Sequence, residues 1–150
     1  YKYSDIKDLL HTKHTDLGYY IYSILAKNSL QKFAASFEYK EPLYSVAIDD
    51  KATHGYSHTA LLNKALNSKN IKPLYNRLRA TNSVTYSGKS KEFRLLNPRN
   101  FEIKNLSAKE LILVDDIITT GSTLNQAVEA AKKHKNSIMF CLTLADASIN

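Results

Sequence analysis

Residues 110–123 read ELILVDDIITTGST. Leu111, Ile112, Leu113 and Val114 form an unbroken apolar run, the pattern of a strand covered on both faces in a parallel α/β sheet. Asp115 and Asp116 are expected to end that strand and to deliver two adjacent carboxylates to one edge of the sheet. Thr119, Thr120, Gly121, Ser122 and Thr123 then supply hydroxyls, a flexible backbone and a cluster of N–H groups where a helix should begin. Unpaired N–H groups and the positive end of a helix dipole suit an anion at such a place.

The flanks give this stretch its setting. Beyond Gly121, Leu124, Ala127, Val128 and Ala131 follow i, i+3, i+4, i+7 spacing, which predicts a helix to about residue 135 with lysines in its last turn. Residues 137–144 (SIMFCLTL) predict another apolar strand, and strand, helix and strand in series make a βαβ unit. Upstream, residues 44–49 (YSVAID) predict a second core strand that also ends in acids, Asp49 and Asp50. The polar loop DKATHGY leads from it into a short helix capped by Ser57. A third strand is expected over residues 73–78, and a helix over residues 16–33 with Leu17, Tyr20, Ile21, Ile24 and Leu25 on one face. Residues 80–100 lack any apolar period and predict a long loop, whose basic content points to function.

At 150 residues, 43% apolar and 23% charged, the chain predicts one globular domain over residues 1–150. No run approaches the ~20 apolar residues of a membrane span, and the first ten residues carry too much charge for a signal peptide. A start at Tyr1 rather than Met leads us to expect residues upstream. The single cysteine, Cys141, excludes an internal disulfide or a multi-cysteine zinc cluster and is expected to be inert packing. His11, His14, His54 and His58 are expected at the surface. The net charge of +7 is unevenly spread: residues 51–101 hold ten Lys or Arg against Glu92 alone, and every arginine lies between 77 and 99. A polyanion is the natural partner of such a block.

Carboxylates just before an anion site make poor phosphate ligands but good acceptors for sugar hydroxyls or metal-bound water. A phosphorylated sugar satisfies both halves. The apolar run, the two acids, two further apolar residues and TTGST resemble the phosphoribosyl-pyrophosphate (PRPP) signature of type I phosphoribosyltransferases. That resemblance implies a parallel central sheet flanked by helices with a small hood. It implies ribose hydroxyls on Asp115 and Asp116, and the 5′-phosphate on Thr119, Thr120, Gly121, Ser122 and Thr123. It also implies Mg²⁺ carried mainly by PRPP and reached from Asp115 and Asp116 through water. The loop of residues 50–53, with Asp50 and Lys51, stands where the family binds pyrophosphate. GKS at residues 88–90 is not a P-loop, since position 83 is Ser and no apolar helix follows.

Further segments resemble the ComF family of bacterial DNA uptake and natural transformation. Lys13 matches a lysine of its lead-in, HGYSHTALL (residues 54–62) is similar to its RGFNQ followed by an apolar helix, and Arg77, Arg79 and Thr81 match its spaced R, R and T. Arg94, Asn97 and Phe101 resemble its R-x-x-N and following aromatic. The chain departs from that pattern where the arginine and glutamine of RGFNQ are replaced by His54 and His58, and the cysteine-rich zinc finger of many members is not seen. The resemblance implies a cytoplasmic protein, near the inner face of the membrane, handling incoming single-stranded DNA beside a helicase-like partner. Arg77, Arg79, Lys89, Lys91, Arg94 and Arg99, interleaved with Tyr56, Tyr75, Tyr86 and Phe93, are the candidate nucleic-acid contacts. The same cations also suit PRPP and pyrophosphate, with Lys89 and Lys91 on a loop that closes over the site. Three functions stay open: a phosphoribosyltransferase of nucleotide salvage or biosynthesis, a single-strand binding module, and a PRPP sensor without turnover.

Overall fold

The computed structural model describes residues 1–49, 51–52, 55–82 and 90–148, without the side chains of Lys91, Arg94 and Leu95. Asp50, Thr53, His54, Tyr86 and Lys89 lie outside the described residues. Strands β1 (Leu43–Ala47), β2 (Ile71–Leu74), β5 (Glu110–Ile118) and β6 (Ser137–Asp146) form a parallel sheet in the order β2-β1-β5-β6. Strands β3 (Leu78–Ala80) and β4 (Phe101–Ile103) form a separate antiparallel ribbon. Helices α1 (Tyr3–Leu10), α2 (Asp16–Asn28), α3 (Leu30–Ser36), α4 (His58–Ala65), α5 (Lys91–Leu96) and α6 (Ser122–Lys133) complete the described elements, with a 3₁₀ turn over His11–His14.

β5 is central because it is apolar on both sides. Ile112 and Val114 enter one core with Leu10, Tyr22, Leu25, Leu30 and Leu62 from α1 to α4. Leu111 and Leu113 enter the other with Leu78, Ile103, Leu124, Ala127 and Ala131, so the β3–β4 ribbon and α6 cover the opposite face. Burial of these four β5 side chains contributes about 2 kcal/mol each. Asn136 fastens this second layer: its Oδ1 accepts from the Lys109 N–H at 3.1 Å and its Nδ2 donates to the carbonyls of Leu106 and Ala131, each at 3.2 Å.

Several expectations need correction. Strand β5 does not end at the acids but continues to Ile118, so Asp115 and Asp116 lie within the ladder, with Asp115 beside Thr143 of β6. The helix expected over residues 16–33 is two helices broken at Ser29, whose φ −126° and ψ −80° are not helical. Its buried face is Gly18, Tyr22, Leu25 and Ala26, whereas Leu17, Tyr20 and Ile24 point outward. The strand expected over residues 73–78 splits into β2 and β3, and Pro73 is tolerated because β2 is an edge. Part of the expected loop is α5, capped by Ser90, whose Oγ accepts from the Phe93 N–H. Among the described residues no helix is long and apolar enough to cross a membrane.

Candidate functional site

The carboxyl edge of the sheet gathers the turns after β1 and β5. Ile48 N–H donates to the Val114 carbonyl at 2.8 Å, holding the end of β1 against β5 just before the acids. After β5 the chain passes through Thr119 and Thr120, both exposed, to Gly121, whose φ of +72° is the left-handed conformation that glycine adopts without strain. Gly121 caps α6, a helix of 12 residues, and a Cβ built on it would meet nothing within 4 Å. The Thr120 and Ser122 hydroxyls are 2.8 Å apart beside that opening. Thr123 is half-buried. Hydroxyls, a helix start and an open approach to the backbone are the parts an anion needs.

The two acids do not act as one pair. Alternation along β5 turns Asp115 towards the α6 face and Asp116 towards the α2–α4 face, and both are buried. Asp115 Oδ1 accepts the Asp116 N–H at 2.8 Å. Burial first, then the Asp116 carboxylate, push the Asp115 carboxyl well above the usual range, against the pull of that N–H and of Arg99. Burial would also raise Asp116, but Lys13 and then His58 outweigh it and hold its carboxyl below the ordinary value. In the free protein Asp116 carries the charge and Asp115 holds a proton more tightly than an ordinary carboxylate.

Three side chains converge on a single oxygen of Asp116. Lys13 Nζ is 3.0 Å from Oδ2, the Tyr22 hydroxyl donates to it at 3.3 Å, and His58 Nε2 is 3.5 Å away. None of the three uses Oδ1. Burial lowers the His58 pKa to about 4, so the ring is neutral at pH 7 and Lys13 is the counter-ion. Burial, then Asp116, push the Tyr22 phenol upward. His58 is therefore not a surface residue as expected: it packs edge-on against Tyr22 and His14. Tyr56 completes the arrangement by donating to the Lys13 carbonyl at 2.6 Å. Gly18 permits it, since a Cβ there would overlap the Thr12 carbonyl and the Tyr56 hydroxyl. Lys13 was legible only through the family resemblance, and His58 and Tyr22 carried no local signal for this role.

On the other face, Asp49 is a non-glycine residue at φ +53°. Its Oδ1 accepts from the Ala80 N–H at 3.3 Å and its Oδ2 from Arg99 Nη1 at 3.2 Å, joining the turn after β1 to both feet of the segment between β3 and β4. The Arg99 N–H in turn donates to Gln126 Oε1 of α6 at 2.8 Å. Of the candidate cations, Arg77 and Arg79 are half-buried on or beside β3, where Arg77 Nη1 reaches the Lys104 carbonyl at 3.5 Å and Arg79 donates to the Asn76 side chain. Lys51 is exposed. Asp50, Lys89 and the Lys91 and Arg94 side chains are outside the description. Cys141 is half-buried, and burial followed by Asp115 pushes its thiol upward.

The family model described as "Phosphoribosyl transferase domain" matches residues 65–149, more than half of the chain. The chain belongs to that family. The matched description is general and does not single out the ComF group. No curated protein sequence matches. Among solved structures, the chain is similar in fold to a hypoxanthine-guanine phosphoribosyltransferase from Bacillus anthracis, with 20% identity, a TM-score of 0.50, and coverage of 83% of this chain and 70% of that one. A Saccharomyces cerevisiae adenine phosphoribosyltransferase aligns over 88% and 70% at 17% identity and a TM-score of 0.49. A Staphylococcus aureus hypoxanthine phosphoribosyltransferase aligns over 83% of this chain at 17% identity and a TM-score of 0.47, and this chain spans 62% of its length.

Proposed function

We propose that the chain binds PRPP across the carboxyl edge of the sheet and transfers its ribose 5-phosphate to a nucleobase. One observation carries the reading: a left-handed Gly121 opens a full-length helix directly behind a buried, acid-bearing strand, in a member of the phosphoribosyl transferase family. The 5′-phosphate sits on Thr119, Thr120, Gly121, Ser122 and Thr123. Asp115, and the Oδ1 of Asp116 that Lys13, Tyr22 and His58 leave aside, accept the ribose hydroxyls. The pyrophosphate lies beside the turn after β1, at Asp50 and Lys51. In the transfer, the C1′–oxygen bond breaks with its electron pair leaving on pyrophosphate, a ring nitrogen of the base bonds to C1′, and the proton that nitrogen carried passes to pyrophosphate or solvent. The chain's own share is to orient the sugar and to hold charge where it develops.

Mg²⁺ fits the donor chemistry here, which is hard carboxylate oxygen at the site's edge, and it would neutralise the departing pyrophosphate. Among the described residues no group of three or more acidic, His or Cys side chains is placed to hold a metal, and Asp115 and Asp116 would reach the ion through water. Lys89 and Lys91, which fall between Ala80 and Arg99 in the sequence, would close over PRPP.

A second reading keeps the site but gives it the ComF role, in which the chain handles incoming single-stranded DNA in the cytoplasm, near the membrane's inner face, beside a helicase-like protein. The uneven basic charge of residues 51–101 favours it. Pyrophosphate release from PRPP and Mg²⁺, with a panel of nucleobases as acceptors, tests the first reading. Release with at least one base supports it. Binding of PRPP without release from any base, together with salt-dependent binding of a single-stranded oligonucleotide, would favour the second.

A further inference from the structure

Two polar side chains stand where packing alone asks for apolar ones. Tyr22 is fully buried in the core that α1 to α4 build on β5, and among the described residues its hydroxyl meets only the Asp116 carboxylate, at 3.3 Å, and the Leu10 carbonyl, at 3.4 Å. Phenylalanine would fill that space without taking a hydroxyl out of water. His58 opens α4, directly after its Ser57 cap, and the Nδ1 of its neutral ring is buried with no hydrogen-bond partner among the described residues. A buried nitrogen left unpaired lowers stability. What the two side chains share is Asp116 Oδ2.

Their effect is on how that carboxylate is turned. The last torsion of an aspartate side chain is broad, so a carboxylate held by one loose partner presents either oxygen. Here Lys13 Nζ at 3.0 Å, the Tyr22 hydroxyl at 3.3 Å and His58 Nε2 at 3.5 Å approach Oδ2 from three separate elements, the 3₁₀ turn, α2 and α4. The Asp115 carboxyl, itself steadied by the Asp116 N–H at 2.8 Å, lies against the same carboxylate from the preceding position of β5. Oδ1 is left as the oxygen that still meets solvent, on a residue only 7% exposed. Lys13 is the counter-ion. Tyr22 and His58 are neutral at pH 7, so what they add is direction and not charge.

We propose that Tyr22 and His58 are positioning residues of the sugar site: acting through Asp116, they hold its Oδ1 outward as the acceptor for one ribose hydroxyl. This role rests on the PRPP reading and adds to it two residues that touch neither the sugar nor the phosphates. Their loss weakens the hold on the sugar alone. The phosphate contacts at the start of α6 and at the turn after β1 stay as they are.

Calorimetric titration of PRPP with Mg²⁺, and separately of pyrophosphate with Mg²⁺, into wild type and variants whose circular dichroism is unchanged tests this. PRPP should bind about fivefold more weakly to Tyr22→Phe and to His58→Leu, with pyrophosphate affinity changed by less than about twofold. His58→Gln, whose amide can donate to Asp116 in place of the ring, should recover most of the PRPP affinity. In an Asp116→Asn background, Tyr22→Phe should have no further effect, because its action passes through the carboxylate. The role is overturned, with the PRPP reading left standing, if Tyr22→Phe binds PRPP as wild type does, if it loses pyrophosphate to the same extent, or if its effect persists undiminished beside Asp116→Asn. Wild type that binds no PRPP overturns the PRPP reading and this role with it.

Discussion

Lys13 Nζ stands 3.0 Å from Asp116 Oδ2 across 103 residues of chain, so the 3₁₀ turn near the N-terminus is docked on the second acid of the PRPP signature. Replacing Lys13 by Met leaves a buried carboxylate without its counter-ion. We expect a loss of about 2 kcal/mol in urea unfolding at pH 7, and a near-normal value on adding Asp116→Asn, which removes the charge as well.

His58 sets the acid limit of the fold. Its pKa is lowered to about 4 from an ordinary 6.5, so the folded state favours the neutral ring. For a base depressed in this way, the stability is whole above pH 6.5 and is lost as pH falls towards 4, by up to about 3 kcal/mol. Asp116, whose carboxyl is itself depressed, adds its own loss only below the ordinary carboxylate range. The denaturant midpoint of wild type relative to that of His58→Gln should fall as pH goes from 6.5 to 4.5, since the contribution of Asp115 is common to both proteins.

Asp115 works in the opposite sense. Its folded-state pKa is raised, so its contribution is full below the ordinary carboxylate value and is lost as pH rises through the raised one. Asp115→Asn removes that cost. The variant should unfold at higher urea than wild type at pH 7 while losing PRPP affinity, the mark of a residue kept for function at the expense of stability.

Gly121→Ala and Gly121→Asn separate backbone strain from ligand space. Alanine at φ +72° should destabilise by about 1 kcal/mol, whereas asparagine tolerates that conformation better. Both put a side chain into the open approach to the helix start. Both should therefore lower PRPP affinity, with thermal stability falling more for the alanine.

The strand, turn and helix of residues 110–123 were legible because every local signal agreed: an unbroken apolar run, acids, hydroxyls, glycine and an amphipathic period. The facing of the acids was not, because alternation along a strand splits neighbours between faces and only its continuation to Ile118 makes that apply here. The role of His58 depends on Asp116, 58 positions away, and no pattern around HGYSHTALL announces it. Helix α2 was inverted for a different reason. Leu17, Tyr20, Ile21 and Ile24 make as good an apolar face as Tyr22, Leu25 and Ala26, so periodicity had two answers. Gly18, small where α2 meets the 3₁₀ turn and Tyr56, was the residue that marked the buried side.

The clasp at Asp49 was also invisible in sequence, since Ala80 and Arg99 lie on different strand ends. Arg99→Gln should loosen it. We expect hydrogen exchange at the Ala80 amide, which Asp49 holds, to speed up about tenfold with global stability little changed.

The central claim, that residues 110–123 form a PRPP site, is tested most directly by calorimetric titration of PRPP with Mg²⁺ into wild type, Asp115→Ala and Thr120→Val. We predict saturable binding of one PRPP per chain to wild type, at least about tenfold weaker in either variant while both remain folded. No binding to wild type, or equal affinity in all three, would contradict it.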